Sequence, residues 1–139
     1  RVGIATPKIC FESGEEQLLP KRDPNIRFVI LSKFPFFHRY RDMYTMADKT
    51  FLKPERIDSS TGCFFAIKTD VMKEVGGFDP RFFLYFEDAD LSRRVRQTRT
   101  IVFYPGTFVY HGWKRDNTRS LRGIRIFLAS MAQYLWKWR

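Results

Sequence analysis

The sequence is poor in the residues that staple small domains together. Cysteine occurs twice in 139 residues, at Cys10 and Cys63, which excludes a disulfide framework, and the pair lacks the C-x-x-C spacing of a zinc site. Both cysteines read as reduced packing residues of a cytosolic protein. Histidine occurs only at His38 and His111. No run of about 18 apolar residues exists, so a membrane-spanning helix is excluded. The longest aromatic-rich run, Phe82-Phe83-Leu84-Tyr85-Phe86, has the length of a buried strand or loop. The phosphate-binding patterns G-x-G-x-x-G and G-x-x-x-x-G-K-[ST] are missing, as is the G-x-S-x-G elbow. There is no internal repeat and no low-complexity tract.

Acid is also scarce. Fifteen Asp+Glu face 25 Lys+Arg, giving a formal net charge of +10 and a pI of about 9.9. The excess is uneven: from Lys114 to Arg139 seven basic residues face only Asp116, and supply +6 of the +10. Such a surface attracts phosphates, whether of nucleic acid, an anionic membrane or a nucleotide diphosphate. The 17% aromatic share is far above that of disordered chains, and the length suits a single core.

Patterning predicts an α/β chain. Val2–Ala5 and Ile9–Phe11 read as short strands around Pro7, and Ile26–Leu31 as a strand or short buried segment. Residues 33–57 mix aromatics and bases without a clean period and predict a surface-lying loop and helix; His38 lies there with no evident partner. Cys63–Ile67 predicts a strand. Thr69 is a candidate N-cap for a helix over 70–75 that Gly76-Gly77 would end. Residues 87–97 predict a helix with acids first and arginines last, the order its dipole favours. Ile101–Tyr104 and Thr107–His111 read as two strands around Pro105-Gly106. Within 119–139 a basic amphipathic helix is expected, with Leu121, Ile124, Leu128, Met131 and Leu135 packed inward.

Two places could carry chemistry. Glu87, Asp88 and Asp90 put three carboxylates in one helical turn behind the aromatic run. Mutual repulsion and burial raise carboxylate pKa values, which makes a general base for a hydroxyl proton; acid capping of a helix start is the plainer reading. His111 ends a predicted strand and is followed by Gly112, where backbone can approach a ligand closely. A merely hydrogen-bonded structural histidine remains the alternative.

The block Gly62-Cys-Phe-Phe-Ala-Ile-Lys-Thr-Asp-Val-Met-Lys-Glu-Val-Gly-Gly-Phe-Asp79, followed by Phe82-Phe-Leu-Tyr-Phe-Glu-Asp-Ala-Asp-Leu-Ser-Arg-Arg94, resembles the C-terminal half of a family 2 glycosyltransferase of the GT-A fold. The rhamnosyltransferase-like branch that builds bacterial O-antigen and capsule is the nearest in pattern. Val2–Lys8, Tyr104–His111 and Tyr134–Trp138 resemble further parts of the same half, so that only about residues 33–57, which vary in such enzymes, fall outside.

The resemblance implies a partial GT-A, Rossmann-like fold: a mixed sheet, flanking helices and a C-terminal amphipathic helix. It implies an inverting transfer of sugar from a nucleotide-sugar donor to a saccharide acceptor, the acceptors of the family being lipid-linked. Asp88 matches the catalytic base, and Glu87 its acceptor-orienting neighbour. Gly62 matches the tight backbone position beside the sugar, Arg94 a bracing arginine, and His111 a ligand of the metal–diphosphate site. Mg²⁺ or Mn²⁺ would neutralise the leaving diphosphate, and one imidazole is compatible with Mn²⁺. The family's nucleotide-binding half, with its DxD motif, would precede Arg1; the chain is therefore expected to be a cut piece that alone transfers no sugar.

Other functions would draw on the same residues. Nucleic-acid binding would use the +10 charge and the basic–aromatic stretch 33–44, but leaves the acids at 87–90 unexplained, and no nucleic-acid partner is expected. A glycosidase needs its two carboxylates several ångströms apart across a bond, which adjacent Glu87 and Asp88 do not provide. A non-catalytic piece that docks on a membrane or partner is the third class. For peripheral contact with an anionic membrane, Phe127, Tyr134, Trp136 and Trp138 with Arg122, Arg125, Lys137 and Arg139 are the candidate residues.

Overall fold

The computed structural model describes residues 1–112 and 120–139, and two parallel strands form its centre. β1 (Val2–Cys10) pairs with β4 (Thr100–Tyr110); β2 (Glu55–Ile57) lies antiparallel beside β4, and β3 (Ala66–Ile67) antiparallel beside β1. The sheet order among the described residues is β2-β4-β1-β3. Around it stand α1 (Ile26–Leu31), α2 (His38–Thr45), α3 (Thr69–Glu74), α4 (Glu87–Val95) and α5 (Leu121–Lys137). This is a mixed α/β architecture with a C-terminal helix, consistent with a partial Rossmann-like fold.

β1 is buried at Gly3, Ile4, Thr6, Pro7, Ile9 and Cys10, without the alternation of a one-sided strand, because both its faces are covered. It is continuous where two short strands were expected, and so is β4. The ladder jumps between Pro7, opposite Tyr104, and Lys8, opposite Phe108. Proline lacks a ladder donor, and the prolines of the two strands, Pro7 and Pro105, fall at one irregularity. A single bulge absorbs both.

Other boundaries also differ from expectation. Ile26–Leu31 is helical rather than extended, since the Asn25 side chain accepts the Phe28 N–H at 2.9 Å and caps the turn. The strand expected over 63–67 is reduced to Ala66–Ile67, and Cys63 is exposed rather than packed. Its chain segment is held by α4 instead of the sheet. Residues 33–57 contain a 3₁₀ turn (Pro35–Phe37), α2 and β2. Thr69 is the first residue of α3, not its cap. Gly76 (φ 76°) and Gly77 (φ 72°) do end that helix: Gly77 N–H donates to Met72 carbonyl and Gly76 N–H to Lys73 carbonyl, the paired bonds of a Schellman stop. α4 ends at Val95, two residues earlier than expected.

Two clusters hold the fold. Ile4, Val71, Leu91, Val95, Ile101 and Phe103 join sheet, α3 and α4, while Val29, Phe82, Phe86, Ala89 and Tyr134 join α1, α4 and α5. Packing between β1 and the end of α4 is close enough that a Cβ on Gly3 would stand 2.8 Å from Val95 Cγ1 and Arg99 Cβ.

α5 corrects the inward stripe expected of it. Gly123, Ser130 and Tyr134 are buried, with Phe127, Met131, Leu135 and Trp138 packed beside them, whereas Leu121, Ile124 and Leu128 are exposed. Trp136 is exposed too, so of the four aromatics considered for a bilayer it alone faces outward. Trp113 to Arg119, including the bases Lys114, Arg115 and Arg119, lie outside the described residues.

Candidate functional site

The carboxylates at 87–90 do not act as one group, because the helix turns them into different surroundings. Asp90 is fully buried and faces α5: its Oδ2 accepts Arg94 Nε at 2.9 Å, and its Oδ1 takes Lys137 Nζ at 2.6 Å and Trp138 Nε1 at 2.9 Å. It is the anchor between the two helices. Arg94 adds hydrogen bonds of 2.5 Å to Val75 carbonyl and 2.7 Å to Gly77 carbonyl. Its guanidinium thereby ties α4 to the glycine stop of α3, and pairs with an acid of its own cluster.

Asp88 faces the chain segment before β3. Its Oδ2 accepts Gly62 N–H at 2.8 Å and its Oδ1 accepts Ala89 N–H at 2.7 Å, so the structure does bring Asp88 and Gly62 together. One turn along the helix, Ser92 Oγ accepts Ser60 N–H at 3.1 Å. Two residues of extended chain and four of helix both advance about 6 Å, so residues 60–62 lie along α4 in register. Gly62 carries no positive φ; a Cβ there would stand 3.5 Å from Asp88 Cβ and 3.7 Å from its Oδ2.

Burial pushes the Asp88 carboxyl above its usual range, against the opposing pull of its backbone N–H bonds. Glu87 is pushed up as well, by burial first and then by the neighbouring charge of Asp88. Its Oε2 is buried without a hydrogen-bond partner among the described residues. A carboxylate with raised proton affinity beside one with a spare acceptor can take a proton from a hydroxyl and hold a second hydroxyl in place.

The entry to α4 shows how the acids are aimed. Tyr85 (φ 70°) and Phe86 (φ 66°) are both left-handed, a conformation costing about 1–2 kcal/mol per non-glycine residue. The Phe86 ring repays this by packing 5.5 Å from the rings of both Phe127 and Tyr134. Sequence reading had no signal for this turn, because glycine usually marks such positions.

Tyr44 of α2 was not anticipated either. Its ring packs against the cluster of Val29, Phe82, Phe86, Ala89 and Tyr134, and burial, followed by the charge of Asp88, raises its phenol well above the ordinary value. Its ring stacks on Phe28 at 5.5 Å. The aromatic–basic stretch that looked unpatterned thus supplies a wall.

His111 follows β4 at the far end of the sheet. Its backbone N–H donates to Cys10 carbonyl at 2.9 Å, its Nδ1 lies 3.1 Å from Gln17 Oε1, and Gln17 Nε2 donates to its carbonyl at 2.6 Å. Gln17 can accept from Nδ1–H and leave Nε2 free as a ligand. Among the described residues, however, no three His, Cys, Asp or Glu side chains come together to hold a cation; His111 and Gln17 alone do not make a site for a hard ion. His38 lies at the start of α2, apart from these groups.

A cleft of about 20 Å³, lined in part by Gln17, Lys21, Ser60 and Thr61, opens next to the Gly62 segment. That volume admits about one water. Lys21 within it is buried, 3.2 Å from Glu16 Oε1 and 4.7 Å from the Phe103 ring centroid. Comparison of the chain with protein-family models, with curated proteins and with solved structures gave no match.

Proposed function

We propose that the chain is the acceptor side of an inverting glycosyltransferase. Asp88 removes the proton of an acceptor hydroxyl as that oxygen bonds to the anomeric carbon of a nucleotide-activated sugar. The bond to the diphosphate breaks in the same step, and the leaving group departs with its electron pair. The observation that supports this reading is the Asp88 carboxylate itself, oriented by Gly62 N–H and Ala89 N–H and raised in proton affinity by burial.

The neighbouring residues follow from that assignment. Glu87, next to the base, orients the acceptor. Gly62 takes the tight backbone position beside the sugar. Arg94 braces the helix that carries the base. His111 with Gln17 does not by itself make a site for the Mg²⁺ or Mn²⁺ of such enzymes, and no step is assigned to the ion. The acceptor class is a saccharide of bacterial surface polysaccharide, lipid-linked in the setting the resemblance implies, at the cytoplasmic face.

The test uses backbone amides as reporters. Gly62 N–H and Ala89 N–H each touch one Asp88 oxygen, so their proton shifts follow its titration. A panel of methyl glycosides added to the isotopically labelled chain is expected to move both signals in the wild type and to move them less in Glu87→Gln. In a polypeptide that also carries a donor-binding segment, Asp88→Asn is expected to lower kcat by roughly 10²–10⁴-fold. Amides indifferent to every glycoside, or a variant with full turnover, would overturn the proposal.

A further inference from the structure

α5 has two apolar arcs, and one of them faces away from the protein. At 100° per residue, Leu121, Arg125, Leu128, Ala132 and Trp136 fall within about 80° of arc, and all five are exposed. Leu121 is 83% exposed, Trp136 63% and Leu128 49%, with Ile124 at the edge of the same stripe. A helix packed on a globular core normally shows water the opposite face.

The charges on this face are of one sign. α5 contains no acidic residue. Arg125 lies within the stripe and Arg122 at its margin, and Arg139 holds its guanidinium 5.0 Å from the Trp136 ring. None of the three pairs with an acid among the described residues. Lys137, the remaining cation, is turned inward onto Asp79 and Asp90.

We propose that the outward face of α5 lies on an anionic membrane surface, with Leu121, Leu128 and Trp136 in the apolar boundary and Arg122, Arg125 and Arg139 on lipid phosphates. Three arginines set among leucines and tryptophan, on a helix without an acid, match an apolar layer under a layer of anions. The helix, 17 residues long, would lie flat; no described helix is long and apolar enough to cross a bilayer. The proposal stands independently of sugar transfer, since none of these side chains touches Asp88.

Co-sedimentation of the whole chain with vesicles tests it. Binding is expected to phosphatidylcholine vesicles containing phosphatidylglycerol, to fall with added salt, and to be at least tenfold weaker to phosphatidylcholine alone. Arg122→Gln with Arg125→Gln should cut the partition coefficient roughly tenfold or more, and Leu121→Asp with Leu128→Asp should abolish binding, the thermal transition staying unchanged in both. Equal binding to neutral vesicles, or no binding to either kind, overturns the proposal. So does self-association in solution that Leu128→Asp abolishes, which would make the face a seam between copies of the chain.

Discussion

Lys137 Nζ stands 2.6 Å from Asp90 Oδ1, joining the last turn of α5 to the first turn of α4 inside the protein. The same ammonium lies 2.8 Å from Asp79 Oδ2. One ammonium thus ties two carboxylates to the last turn of α5.

Asp90→Ala should therefore be the most damaging single change among the acids. It removes the partner of Arg94, Lys137 and Trp138 at once and leaves a largely buried ammonium with one contact fewer. Loss of one side of a buried pair costs about 3–5 kcal/mol. Urea unfolding followed by tryptophan fluorescence checks this; a loss under 1 kcal/mol would place the contact in the class of surface pairs.

Asp79 gives a pH dependence of known sign. Hydrogen bonds from Arg81 first, and then from Lys137, hold its carboxyl well below the ordinary range. A depressed folded value stabilises the protein above the unfolded pKa of about 3.9, and this contribution fades as pH falls from there toward the folded value. Wild type should exceed Asp79→Asn in stability by a constant margin near neutrality. Thermal melts of the two should converge only in strong acid.

Glu87 has the opposite sign. Its folded pKa is raised by burial and by Asp88, so ionisation costs the folded state stability, beginning as pH rises through the unfolded value of about 4.3. Glu87→Gln should be more stable than wild type at neutral pH, and equal to it below that value. Paired denaturation curves at acid and neutral pH measure the difference. A variant less stable at neutral pH would mean that the Glu87 charge has a partner.

Gly3→Ala tests the packing of β1 against α4. The added methyl would meet Val95 Cγ1 and Arg99 Cβ at 2.8 Å, and overpacking of this kind costs about 1–3 kcal/mol. Gly62→Ala makes the comparison: its methyl meets Asp88 at ordinary contact distance, and a change within about 0.5 kcal/mol is expected. The midpoints of their unfolding curves should differ in that order.

Much of this was legible in the chain. The glycine stop after α3 and the acids-first, arginines-last helix follow from periodicity and capping chemistry, which are local. The Ile26–Leu31 helix was not, since β-branched content pointed one way and a single Asn25 cap decided the other. Nor was the facing of α5. Its leucine period was real, but Gly123, Ser130 and Tyr134 take the inner side, and only the neighbours of a helix determine which of two apolar arcs is covered. At the site, sequence spacing separated Glu87 from Asp88 on the helix but did not show Asp90 turned wholly to α5, or Tyr44 brought in from the variable stretch.

The two rungs between residues 60–62 and α4 limit how the candidate base can behave. Asp88 cannot swing toward an incoming molecule without abandoning Gly62 N–H, and Ser60 N–H on Ser92 resists the whole segment peeling away. The carboxylate is a fixed post, so whatever docks must fit itself to that post. Discrimination between one ligand and another then falls to the groups around it, Glu87 foremost.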